Sequence, residues 1–178
     1  MKIRNLILKL ALAVSLAGLT FTNVNAVDAT GTATVVVLTP LTISQTTEMN
    51  FGQVAGSTAA GNVVLSGNVT TPDVNTSVFA GNGELDAVFT ISGSSSANII
   101  ITPALGTLSA TLDDVGAGAA MTVDTFTSTT GYPAGLDGAG SASFDLGATL
   151  HLNANQASGT YTTGLGTGAT YTITVNYN

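Results

Sequence analysis

The chain contains no cysteine and no tryptophan among its 178 residues. Without cysteine it has no disulfide, no thiolate ligand for a metal ion and no thiol nucleophile. Aromatic residues make up only 6% of the chain, which leaves few rings for stacking against sugars. The fold must therefore be held together by apolar burial and backbone hydrogen bonds, for which an apolar share of 44% is sufficient.

Basic residues are confined to the first 26 positions. The chain begins with Lys2, Arg4 and Lys9 among apolar neighbours. An apolar run follows from Leu10 to Leu19, and Ala26 closes the sequence NVNA. This order is typical of a secretory signal peptide. We therefore expect cleavage after Ala26 and export of the mature chain to the periplasm, the cell surface or the medium.

Beyond residue 26 there is no Lys and no Arg, while all ten Asp and Glu remain, so the formal charge of −7 becomes −10. Nucleic acids and anionic lipids are bound largely through Lys and Arg, so neither is expected as a partner. No second apolar run of about eighteen residues follows the signal peptide. The mature chain is therefore expected to have no transmembrane segment.

Apolar and polar residues alternate along the mature chain, and helical periodicity is almost absent. In the longest alternating run, residues 142–152, one face carries Phe144 and Leu146 while the other carries Asp145 and His151. Further strands are predicted at TVVVL from Thr34, NVVLS from Asn62, LDAVFTI from Leu85, NIIIT from Asn98, LSATL from Leu108, MTVDTF from Met121 and the closing TYTITVNYN from Thr170.

Turn-forming pairs such as Asn82-Gly83 and Asp137-Gly138 separate these strands, which is typical of an all-β fold. Both a sandwich and a barrel match the spacing. A transmembrane barrel needs aromatic girdles at both interfaces, and the few aromatic residues argue against it. We predict a single antiparallel β-sandwich, immunoglobulin-like or pilin-like, over residues 39–178, because about 150 residues suffice for one core.

Several blocks of the mature chain resemble one family of small secreted bacterial proteins. They are TPLTI from Thr39, MNFGQV from Met49, MTVDTFTS from Met121, and GAGSASFDLGATLHLNANQASGTYTT from Gly138 running into YTITVNYN. In these blocks the chain is similar to the domain of unknown function 4402 family, most specifically from NANQASGTY through TVNY. The resemblance implies a compact secreted β domain without an established activity, and it supplies no catalytic residue.

Residues for catalysis or ion binding are scarce. The mature chain has no Lys for a Schiff base, no Arg to bind a phosphate and no G-x-S-x-G elbow. The single histidine, His151, lies on a polar strand face, where we expect it to be exposed without a partner. Asp113 and Asp114 are two candidate Ca²⁺ ligands, but adjacent strand residues point to opposite faces, so a solvated acidic loop is preferred. Three further carboxylates are expected to face solvent: Asp86, Asp124 and Asp145.

Glycoside hydrolysis needs only two carboxylates across a cleft, but no spacing in this chain selects a pair. We therefore expect a protein that is not an enzyme, with no catalytic residue, no cofactor and no metal ion.

The start of the mature chain, residues 27–38, is a candidate for pairing with another chain. It is predicted as a strand with small or apolar residues on one face and Asp28 and threonines on the other. The sheet edges also have few of the Lys and Pro residues that usually discourage pairing. Strand donation requires such a peptide, because backbone pairing supplies affinity and alternate side chains fill a groove. The proposed donor face consists of Ala29, Gly31, Ala33, Val35 and Val37.

The closing strand alternates in the same way, with an apolar face of Tyr171, Ile173, Val175 and Tyr177. Chaperone-assembled fimbrial subunits also end on an alternating strand with a penultimate tyrosine, although they often carry a disulfide that is absent here. This resemblance is one of architecture. A strand that closes the sandwich of a self-sufficient monomer explains the pattern equally well.

Two functions remain open. The first is a structural surface or fimbria-like subunit that assembles by strand donation, with copies of itself or related subunits as partners and a periplasmic chaperone as a further candidate partner. The second is a monomeric periplasmic or secreted binding module whose loops SGSSSAN from Ser92, LDDVGAG from Leu112 and GYPAG from Gly131 hold a glycan or another surface ligand. We favour the first.

Overall fold

The computed structural model describes residues 27–67, 79–114, 116 and 118–178. The predicted signal peptide lies outside these residues. Residues 27–36 belong to one unit of the chain, and a second, compact unit runs from Val37 to Asn178. No described residue belongs to a helix long and apolar enough to cross a membrane.

The regular secondary structure of the compact unit is almost entirely β-strand. Its one 3-10 turn in the described part is Leu105–Thr107. The strands are β1 (Thr42–Thr47), β2 (Asn50–Ala55), β3 (Gly61–Val64), β4 (Phe79–Leu85), β5 (Ala87–Ser92), β6 (Ile99–Thr102), β7 (Ala110–Leu112), β8 (Met121–Thr127), β9 (Ser141–Leu152) and β10 (Thr174–Tyr177).

The strands form one large sheet and two pairs. The large sheet has the order β1-β5-β9-β8-β7, with β3 also pairing with β9, and it is curled. The two pairs are β6-β10 and β2-β4. Every pairing between these strands is antiparallel, which confirms the predicted all-β antiparallel class. Buried residues from β2 and β6 join those of the large sheet in one core, which is consistent with a sandwich.

Strand β9 is the centre of the large sheet because three other strands pair with it. Residues 141–146 pair with β5, and residues 149–152 pair with β3. Its other edge pairs with β8. The apolar face predicted from the alternation is present, since Phe144 is 2% exposed and Leu146 is fully buried.

Aromatic rings pack on the first half of β9. The Phe144 ring stacks on Phe89 of β5 with centroids 5.3 Å apart, and Tyr132 meets it edge-on at 5.1 Å. Each such pair contributes roughly 0.5–1.5 kcal/mol beyond its area burial. The aromatic residues whose side chains the structure describes thus lie in the core or pack against it.

Strands β1 and β2 were not among the strands predicted from alternation. Their sequences, TISQTT and NFGQVA, contain few apolar residues, and each strand pairs on one side only. Since an edge strand buries little of its surface, its sequence needs little alternation. The pattern that reveals a central strand is therefore missing from both.

The predicted turn at Asn82-Gly83 is wrong, because both residues lie inside β4. Gly83 has a φ of 97°. The pairing of β2 with β4 also shifts register between Phe51 and Gln53, opposite this point. The glycine thus permits a bulge in a strand rather than a hairpin. The other predicted turn, at Asp137-Gly138, is present.

The predicted strand LDAVFTI is interrupted at Asp86, which separates β4 from β5. The predicted strand TVVVL is absent from the isolated chain, where residues 27–41 belong to no strand. A donated strand forms only on its partner, so the donor role of this segment stays a prediction.

The closing segment presents two faces. Tyr171, Ile173, Val175 and Tyr177 are half-buried, and the residues between them are exposed. Strand β10 pairs with β6 along Ile99–Thr102. Beyond this pairing, the Tyr177 hydroxyl donates a hydrogen bond to the Thr39 carbonyl at 2.5 Å and accepts one from the Ser94 amide at 2.7 Å. These bonds fix the point at which the chain enters the compact unit.

Candidate binding groove

A large groove lies between β2 and residues 156–163. Its volume is about 1010 Å³, and every residue from Glu48 to Gly56 lines one wall. Successive side chains of a strand point to opposite faces, so a groove lined by all of them follows the edge of the strand. Because β2 pairs only with β4, this is the edge of β2 whose backbone groups have no strand partner in the described chain.

The second wall is also a continuous stretch of backbone, from Gln156 to Thr163. It is held in place at Thr162, whose amide and carbonyl exchange hydrogen bonds with the backbone of Asp113 at 3.0 and 3.1 Å. The groove is thus bordered on both sides by polypeptide backbone.

The floor of the groove is apolar. It is formed by cross-strand neighbours on the inner face of the large sheet, since Ala110 pairs with Val123 and Leu112 with Met121. Val123 in turn pairs with Leu150. The floor residues are Ala110, Leu112, Met121, Val123, Leu150 and Leu152. An apolar floor between two backbone edges provides both burial and hydrogen bonding for an extended peptide.

A smaller cavity of about 210 Å³ adjoins the groove at Tyr171, which lines both, and it extends the apolar surface to Ile43, Phe89 and Ile173. The Tyr171 ring also contacts Phe126 with centroids 4.9 Å apart. Burial raises the pKa of Tyr171 to about 12, although the neighbouring Gln45 side chain acts to lower it. Its buried hydroxyl makes no hydrogen bond of normal length and angle within the described chain.

Charge is nearly absent from the groove. Among the described residues that line it, Glu48 alone carries a formal charge. The other polar residues on the walls are amides and hydroxyls such as Gln53, Gln156 and Thr160. The groove therefore suits an uncharged occupant, because burying a charge without a partner is costly.

The residues of the proposed donor face all lie in the exposed segment 27–38. Val35 is 82% exposed and Val37 is 85% exposed. The intervening Val36, on the other face of the predicted strand, is 78% exposed. Apolar side chains so fully in water are available to a partner chain.

His151 has partners, so the expectation of an unpartnered imidazole is wrong. Its Nε2 lies 2.7 Å from Asp124 Oδ1, and its Nδ1 lies 2.9 Å from Asn62 Oδ1. The hydrogen bond from His151, aided by that from the Thr125 hydroxyl, holds the pKa of Asp124 below its usual value. Asp124 is therefore not a lone solvent-facing charge. The three side chains connect β8, β9 and β3 on the polar face of the sheet.

Asp113 and Asp114 do not form the predicted solvated loop. Asp113 is 7% exposed, and its Oδ2 accepts hydrogen bonds from the Thr167 amide at 2.6 Å and hydroxyl at 2.8 Å. These bonds hold its pKa below the usual value. Asp114 accepts a hydrogen bond from the Gly116 amide at 3.1 Å. Among the described residues no three His, Asp or Glu side chains form a metal-binding cluster.

The other two carboxylates also differ from the prediction. Asp86 is 4% exposed, so it does not face solvent. Asp145 is half-buried and accepts hydrogen bonds from the hydroxyls of Ser128, Thr129 and Thr130 at 3.1, 2.7 and 3.1 Å. It therefore fixes the loop that follows β8. Alternation placed Asp145 correctly on the polar face of β9, but the loop after β8 covers that position, and Asp86 lies between two strands rather than within one.

We expect acid to weaken the domain partly through Asp145. Partial burial raises the pKa of this carboxyl, but the hydroxyl hydrogen bonds outweigh burial and hold the pKa below its usual value. The stabilisation is thus present above about pH 4 and is lost as the pH falls through the lower folded-state pKa. Asp145→Asn should cost about 1 kcal/mol or less at pH 6, since the site is half-exposed.

Urea unfolding of the wild type and of Asp145→Asn at pH 6 and pH 2.5 measures this effect. The difference in unfolding free energy should shrink at the lower pH. Asp28→Asn, in the exposed segment, is the matched control and should show no such change. An Asp145→Asn difference that is the same at both pH values would contradict the prediction.

The three loops considered for ligand binding are distributed over two places. SGSSSAN and GYPAG lie together, because Asn98 pairs with Gly135 and the Leu136 amide donates to the Ala97 carbonyl at 2.8 Å. The described residues of LDDVGAG contact the segment from Thr162 to Thr167 instead. This arrangement therefore does not favour a ligand that contacts all three loops at once.

The fold and groove define a class of protein: an antiparallel all-β domain with an open strand edge above an apolar floor, preceded by an exposed segment. Residues 41–177 match the family model described as Domain of unknown function (DUF4402), and the chain belongs to that family. No curated protein and no solved structure matches the chain.

Proposed function

We propose that this protein is exported by its N-terminal signal peptide and acts at the cell surface as a non-enzymatic structural subunit. Copies of it, or related subunits, are joined when one chain donates residues 27–38 to the next. The observation that carries the proposal is the exposed segment itself, whose three consecutive valines are 82%, 78% and 85% exposed.

Burial of these side chains supplies a driving force for assembly. Burying one valine side chain contributes about 1.5–3 kcal/mol, so the two valines of the donor face contribute several kcal/mol. Backbone hydrogen bonds along a sheet edge add to this and fix the geometry. The mature chain has a formal charge of −10, but residues 29–37 contain no charged residue, so the contact itself buries no charge.

An open edge above an apolar floor is an aggregation hazard before assembly. A periplasmic chaperone that covers the groove of each free subunit would remove this hazard. We therefore include such a chaperone among the proposed partners.

The test uses mature protein, residues 27–178, from the periplasmic or secreted fraction of its own host. We expect an unheated denaturing gel to show a ladder that collapses to one band on boiling, and negative-stain microscopy of the same sample to show thin fibres. A single monomer band together with an absence of fibres would refute strand-donated assembly.

The second candidate is a monomeric periplasmic or secreted binding module, and the groove supports it as well. Its volume of about 1010 Å³ is at the upper end for small-molecule sites. Tyr161 lies among wall amides and hydroxyls, a combination that suits a glycan. A monomer that shows no ladder but retains oligosaccharides on a glycan array would favour this function.

A further inference from the structure

We propose that the groove between β2 and residues 156–163 is the acceptor site, and that its occupant is the segment 29–37 of a second copy, paired antiparallel with the open edge of β2. This inference rests on the proposed function. It specifies the surface, the pairing strand and the direction of the donated chain.

The lengths of the two partners agree. The wall that contains β2 runs from residue 48 to residue 56, and the donor face runs from residue 29 to residue 37. At a rise of about 3.3 Å per residue, each covers about 30 Å. A fully extended donor therefore spans the open edge without excess chain.

The side-chain pattern of the donor fits the two faces of the groove. The odd-numbered residues of the donor are small or apolar and would lie on the apolar floor. The even-numbered residues Thr30, Thr32 and Thr34 would face outward, beside the exposed side chain of Gln53 on β2. Val36 is the one apolar residue of the donor that would face outward, because consecutive residues of a strand cannot both reach the floor.

Charge determines the direction. The donor segment is preceded by Asp28, and Glu48 alone among the described lining residues is charged. A parallel donor would place Asp28 beside Glu48, whereas an antiparallel donor places it at the opposite end, about 30 Å away. Two carboxylates in contact repel each other, whereas at the longer distance their repulsion is screened by salt. Antiparallel pairing is therefore preferred.

Antiparallel pairing over the full length sets the register. The register shift at Gly52 leaves that residue unpaired. The pairing then places Thr32 opposite Gln53 and Gly31 opposite Val54. On the other side of Gly52, Ala33 and Val35 lie opposite the inward-facing Phe51 and Met49. A parallel donor would instead place Thr34 opposite Gln53. The two directions thus differ in which threonine lies against the same glutamine.

Engineered disulfides distinguish these arrangements, and the absence of native cysteine makes the result simple to read. The double variant Thr32→Cys with Gln53→Cys is made in the mature chain, assembled and mildly oxidised. Boiled, non-reducing gels should show a ladder that reductant collapses to monomer. Thr34→Cys with Gln53→Cys should crosslink at least tenfold more slowly. The control variant is Thr32→Cys with Thr174→Cys, where Thr174 lies on the exposed face of β10. It should give no ladder on boiled, non-reducing gels.

Each alternative gives a different result. If unboiled samples of all variants form ladders but Thr32–Gln53 does not crosslink, the subunits assemble through another surface, and only this inference fails. A crosslinked monomer would mean that the segment occupies the groove of its own chain, which overturns the choice of a second copy. If no variant forms a ladder before boiling, the proposed function fails as well. A faster Thr34 variant overturns the antiparallel direction.

Discussion

Removal of residues 27–38 is expected to abolish assembly while leaving the domain folded. The described domain makes no strand with these residues, and all of them are exposed, so their loss removes little packing. The hydrogen bonds that fix the entry of the chain involve Thr39, Ser94 and Tyr177, which the deletion retains. Circular dichroism should therefore keep its β signature with a similar unfolding midpoint, while the unheated gel shows monomer only.

A matched pair of charge variants separates the role of the donor face from that of the segment as a whole. Val35→Asp with Val37→Asp would bring two carboxylates onto an apolar floor, whereas Thr32→Asp with Thr34→Asp adds the same charge to the outward face. Each lost valine contact corresponds to roughly a 10- to 150-fold weaker association, before the cost of the buried charge is added. The threonine variants should retain the ladder. Equal loss in both pairs, or an unfolded deletion variant, would contradict strand donation.

Gly147→Ala is expected to produce a large loss of stability for a substitution that adds only one methyl group. Gly147 lies in the middle of β9, and a Cβ atom there would overlap the backbone amide of Gly67 and the backbone carbonyl of Leu65. The Leu65 amide is fixed to the Ala148 carbonyl by a 2.9 Å hydrogen bond. Because backbone rather than a flexible side chain occupies the space, β9 or the chain after β3 must shift.

We expect Gly147→Ala to cost about 3 kcal/mol, at the upper end for overpacking, which corresponds to a fall in Tm of roughly 6–12 °C for a domain of this size. Differential scanning calorimetry measures it directly. Gly106→Ala is the control, because a Cβ at that position meets no atom within 4 Å. Similar Tm values for the two variants would mean that the close approach at Gly147 does not limit stability.

The predictability of each strand depended on how much of it is buried. Alternation was strong in β9, whose inner face is covered along its length, so the run from residue 142 to residue 152 was recognised with nearly correct ends. It was weak in β1 and β2, which have a partner on one side only. Strand donation implied a groove, but its location was not predicted for the same reason, since one of its walls is the weakly patterned β2. The only sequence signal for it was that MNFGQV and QASGTYTT lay within the blocks resembling the family.

The sequence by itself determined the all-β class, the absence of basic residues after position 26, the absence of disulfides and the uncharged alternating segment before the domain. These follow from composition and from a period of two, which are properties of the chain alone. Only the tertiary structure decided that Asp113 binds Thr167, that His151 joins Asp124 to Asn62, and that β2 borders an apolar floor. These contacts join residues 27 to about 100 positions apart, and local patterning carries no information about which distant strands become neighbours.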